Sequence, residues 1–83
     1  MKATQQELLC KISDFNALMC SRNIKSRLKY VVTPTMEYKI LLGSEEQFSC
    51  NCWQSVVCQG TISDCIKTVQ VIYLTLAFEF NIF

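Results

Sequence analysis

Apolar residues recur along the first part of the chain at Leu8, Ile12, Phe15 and Met19, with Leu9 and Leu18 widening the stripe. Steps of this kind follow the turn of a helix with one buried face, and they predict a helix over residues 4–28. Thr4 is placed to cap its start, and Glu7 three positions on completes a capping-box pattern. Cys10 and Cys20 lie near the stripe and read as small buried hydrophobes. Ser21 and Asn23 weaken the helix after Met19, and a break over 20–23 would leave the basic segment beyond it as a separate short helix. Tyr30, Val31 and Val32 favour extended backbone, and Thr33 precedes Pro34, which biases it away from helix. Residues 33–35 therefore read as a turn or short linker.

The period then changes. Met36, Tyr38, Ile40 and Leu42 alternate with Glu37, Lys39 and Leu41, the pattern of a half-buried strand. Gly43, Ser44, Glu45 and Glu46 supply turn chemistry, and 47–52 would return as the second strand of a hairpin. Residues 53–63 carry Gly60 and mixed polar side chains, as a loop would. Ser63 or Asp64 can cap a helix over 65–80 that buries Ile66, Val69, Ile72, Tyr73, Leu76 and Phe80. Phe78 to Ile82 also alternate as a strand does, but a capped apolar run of this length is awkward for one strand. The predicted fold is α+β: an N-terminal amphipathic helix, a β-hairpin carrying a C-x-C pair, and a C-terminal apolar helix. All 83 residues form a single small domain, with a helical part over 1–32 and a ββα unit over 36–80.

A chain of this length buries only about 60–65% of the surface its unfolded form exposes, so a metal or a partner would help to hold it. Half of its residues are hydrophobic, which argues for a compact or partner-buried chain. The net charge of +1 gives no global attraction for nucleic acid. Arg22, Lys25, Arg27 and Lys29 form the one local basic cluster, a solvated helix end or a sequence-independent contact to phosphate. The N-terminus has no apolar core of a secretory signal, and the apolar run near the C-terminus is broken by Gln70, Thr75 and Glu79. An intracellular chain without a membrane span is expected. In a reducing interior, six cysteines are metal ligands or buried thiols more readily than disulfides, although their even number leaves a disulfide framework open.

Four of these cysteines, Cys50, Cys52, Cys58 and Cys65, fall close together in sequence and suggest a metal clip. Two cysteines one residue apart at the end of a strand point to one face, so both sulfurs reach one ion. Cys65 in the first turn of the next helix gains from the helix N-terminus, which favours thiolate. Cys58 would complete a four-thiolate zinc site, and Lys67 beside it would stabilise the negative charge. The same residues also suit a metal-free fold with buried thiols.

The stretches 38–44 and 48–52, followed by Asp64, Cys65, Ile66, Lys67 and the apolar 69–74, resemble the SWIM zinc-finger family. Its pattern is C-x-C, a spacer and C-x-H on a hairpin followed by a helix, and Lys67 stands at the histidine position. Within the family the chain looks most like the small SWIM proteins of the Shu complex. That resemblance implies a nuclear, non-enzymatic adaptor that binds a recombinase paralogue and meets single-stranded DNA through the complex during homologous recombination and DNA repair. Two other functions fit the residues: a small intracellular protein-binding regulator with buried cysteines and no metal, and a weak sequence-independent nucleic-acid binder. Catalysis is not expected, since the chain has no histidine, no Gly-rich phosphate loop and no nucleophile elbow. A thiol-redox enzyme would want C-x-x-C where this chain has C-x-C. Trp53 beside the pair would pack over the site or anchor a partner.

Overall fold

The computed structural model describes residues 3–50 and 55–80. Within them the order is α1 (Gln5–Ser21), β1 (Arg27–Val32), β2 (Tyr38–Gly43), α2 (Glu45–Ser49), β3 (Ser55–Gly60) and α3 (Ile62–Glu79). The fold is α+β, as the patterning predicts: an N-terminal helix, an antiparallel sheet in the order β1-β2-β3, and a C-terminal helix.

Thr4 caps α1, its hydroxyl accepting from the Glu7 N–H at 3.1 Å. Leu8, Ile12, Phe15, Leu18 and Met19 turn inward. Leu9 does not, being 47% exposed, and Cys10 and Cys20 lie on the exposed side and are not buried hydrophobes. The helix stops at Ser21 and does not reach residue 28. Asn23 takes a left-handed conformation, φ 58°, while the Ile24 N–H reaches back to the Met19 carbonyl and the Asn23 N–H to that of Cys20. This paired closure satisfies two carbonyls that a helix end leaves orphaned, and asparagine is among the few residues that tolerate the turn.

The basic segment beyond it is a strand. Leu28, Tyr30 and Val32 pair with Leu42, Ile40 and Tyr38, and all of these but the exposed Val32 pack into the core. The turn at 33–36 is held by the Met36 N–H on the Thr33 carbonyl and the Thr33 N–H on that of Glu37. Asn16 ties α1 to this edge strand: its amide donates to the Leu28 carbonyl at 3.1 Å and accepts from the Leu28 N–H at 2.8 Å. One side chain thus replaces the ladder partner that an edge residue lacks.

Three further expectations are corrected. Residues 45–49 are helical because Ser44 and Gln47 form a reciprocal capping box, so the chain does not turn directly into a second strand. The returning strand is instead β3, inside the stretch expected to be a loop, with a bulge against β2 between Ile40 and Leu41. Thr61, not Ser63 or Asp64, caps α3, accepting from the Asp64 N–H at 3.2 Å. The core joins both helices to one face of the sheet, with Leu8, Ile40, Cys65 and Val69 fully enclosed. Of the described helices, none is long and apolar enough to cross a membrane.

Candidate thiol pair and exposed helical face

Cys58 lies opposite Ile40 in the ladder and faces the core with it, while Cys65 sits in the first turn of α3 directly above. The two sulfurs are 3.7 Å apart, the Cys58 thiol donating to Cys65. Cys65 in turn donates to the Tyr38 carbonyl at 3.5 Å, at the start of β2. It has no exposed surface, whereas Cys58 is half-buried. Burial, then the hydrogen bond and proximity of Cys58, push the Cys65 thiol up to about 12. This thiol is a packed, protonated core group.

Cys50, a third member of the predicted clip, is on a different element. Cys50 is the C-cap of α2, in the connection that leaves β2 at Gly43, the end opposite Tyr38. It is not on a strand, and it is disulfide-bonded. Cys52 and Trp53 also lie outside them. Among the described residues no three cysteine, aspartate or glutamate side chains converge into a group that could hold a metal ion. The Cys58–Cys65 separation suits two corners of a zinc tetrahedron, whose bonds of about 2.3 Å place sulfurs about 3.8 Å apart, but the described side chains do not complete the set. Lys67 is exposed on α3.

The basic cluster is also divided. Arg22 donates to the Phe80 carbonyl at 3.0 Å and lies 4.9 Å from the centre of its ring, tying the end of α1 to that of α3. Arg27 donates to the Ile24 and Ser26 carbonyls at 2.6 and 2.8 Å and faces Glu45 at 3.7 Å. The Lys29 ammonium sits 5.5 Å from the centre of the Phe48 ring. Lys25 is exposed and shares a pocket of about 210 Å³ with Arg27, Ser44, Glu45 and Glu46, a lining of both signs. Three of the four cations thus have contacts within the fold, and the fourth stands beside carboxylates that repel phosphate.

Two apolar features lie apart from the thiol pair and the basic cluster. A groove of about 300 Å³ runs between the helices and the sheet, lined by Phe15, Met19, Leu28, Leu42, Ile72 and Leu76 among others. On α3, the stripe Lys67, Val71, Leu74 and Phe78 repeats at helical spacing on the side opposite Cys65, Val69 and Leu76. Val71 is 62% exposed, Leu74 45% and Phe78 76%. Their spacing was the available signal, but α3 is apolar on so much of its circumference that the pattern alone does not say which stripe faces out. No family model, curated protein or solved structure matches the chain.

Proposed function

We propose that this chain is a small non-catalytic adaptor whose outward face of α3 binds another protein. The observation that carries this is the stripe Val71, Leu74 and Phe78: three large apolar side chains aligned in water, on a helix whose opposite stripe already fills the core. Aligned apolar residues at this spacing are what a helix presents to an apolar groove or a second helix, with an aromatic residue as the natural anchor. The absence of histidine from the whole sequence supports a binding role over acid-base catalysis. The resemblance to SWIM proteins offers a recombinase paralogue as the partner and the nucleus as the place, and it is the sole support for both. Purification of the tagged chain from its own cells tests the role. A stoichiometric protein should be retained by the wild type and lost from Leu74→Glu/Phe78→Lys, with the variant's melting curve unchanged. Retention by the variant would remove α3 as the binding face.

Zinc binding by Cys50, Cys52, Cys58 and Cys65, with Lys67 nearby, is a second reading favoured by one observation, the 3.7 Å sulfur separation. It requires reduction of Cys50. One equivalent of zinc in reduced protein, lost in Cys58→Ser, would support it. Metal-free reduced protein would leave Cys58 and Cys65 as packed thiols.

A further inference from the structure

We infer that Cys58 and Cys65 form an oxidisable dithiol whose disulfide staples β3 to the first turn of α3. Three observations converge on the pair. The sulfurs already touch at 3.7 Å, with the Cys58 thiol directed at Cys65. Only one of them is within reach from outside: Cys58 is half-buried on an edge strand, whereas Cys65 has no exposed surface. The segment between them is a short cap, in which Thr61 accepts from the Asp64 N–H and the Cys65 N–H bonds the Thr61 carbonyl, so the two sulfurs are held in register by local backbone.

This asymmetry fixes the order of events. A peroxide, small enough to reach a half-buried sulfur, oxidises Cys58: the sulfur takes one peroxide oxygen, the O–O bond breaks, and water leaves, giving the sulfenic acid. The Cys65 thiol, which burial keeps protonated, then attacks Cys58 Sγ as its proton passes to the departing hydroxyl. The S–O bond breaks, the hydroxyl leaves with the Cys65 proton as a second water, and the S–S bond forms. Two electrons have passed from the two thiols to one peroxide. Closure requires the sulfurs to approach from 3.7 Å to a bond of about 2.05 Å. The exposed Cys10 and Cys20 have no such neighbour among the described residues and, on α1, would be left to external thiols.

The staple would fix the start of the helix that carries Val71, Leu74 and Phe78, so the oxidation state sets how firmly that face is presented. The chemistry itself does not depend on the adaptor role or on zinc. The test is peroxide titration of the full chain, kept in chelator and quenched with a thiol-alkylating reagent before digestion. The expected product is a Cys58–Cys65 cross-linked peptide, lighter by two hydrogens than the thiol pair, reversed by dithiothreitol and accompanied by a higher melting temperature. In Cys65→Ser the cross-link should vanish and Cys58 should proceed to the sulfinic acid, while Cys10→Ser/Cys20→Ser should leave the cross-link in place. Recovery of both residues as alkylated thiols from peroxide-treated wild type would overturn the inference. So would sulfinic acid forming at Cys58 as fast in the wild type as in Cys65→Ser.

Discussion

The two long helices perform the same structural task with opposite outer faces. In α1, Leu8, Ile12, Phe15 and Met19 enter the core, and the stripe turned away from it is Gln6, Cys10, Ser13, Ala17 and Cys20, all small or polar. In α3 the inward set includes Cys65, Ile66, Val69 and Ala77, and the outward stripe is Lys67, Val71, Leu74 and Phe78. Both helices pack on one sheet and need one buried face each. A second apolar face is not needed for that packing, and it is present on only one of the two helices.

Substitutions on inward positions should have the largest effects. Leu8→Ala removes a fully enclosed side chain and should cost about 2–5 kcal/mol in urea unfolding, enough to threaten a domain of this size. A cost below about 1 kcal/mol would mean that α1 is not docked as described. Next comes Asn16, the hinge between α1 and the edge strand. Asn16→Ala strands a part-buried N–H and carbonyl of Leu28 and should cost about 1–3 kcal/mol, with faster amide exchange at Leu28 as the local signature.

A third effect is tied to pH. The Cys65 thiol is raised from 9.0 to about 12 in the folded chain, chiefly by burial. Above the unfolded value the unfolded chain releases this proton while the folded chain keeps it, so deprotonation favours unfolding. The stabilisation is complete below pH 9 and declines as pH rises through the interval up to 12, by at most about 1.4 kcal/mol per unit. Urea midpoints at pH 8, 9 and 10 should fall more steeply for the wild type than for Cys65→Ala. Parallel slopes would show that the thiol is not enclosed. The smallest effect is expected on the outer stripe, where Phe78→Lys should change stability by less than about 0.5 kcal/mol.

Much of the fold was legible wherever hydrophobic period and capping agreed. The α1 stripe, the alternation through Tyr38, Ile40 and Leu42, and the inward set of α3 all follow from spacing. The alternation of Leu28, Tyr30 and Val32 was equally present but lay within a basic run that resembles a helix end. The short helix was hidden because Ser44, Glu45 and Glu46 are turn formers as well as helix starters, and the Gln47 that decides between them acts through its reach back to Ser44. Strand β3 was missed because its pairing with β2 is non-local and Gly60 punctuates it as a loop. Of the site, the nearness of Cys58 to Cys65 depends on that unseen strand. The separation of Cys50 from them depends on the unseen helix, and chain spacing reports neither.

The central claim is that α3, and not α1, meets another protein. It is tested most directly by placing a photo-crosslinking benzoylphenylalanine at Phe78 or at Ala17, the matching outward position of α1, and irradiating cells that express each chain. A discrete adduct from position 78, absent from position 17 and abolished by adding Leu74→Glu, is the predicted result. Adducts of equal yield from both positions, or none from position 78, would contradict it.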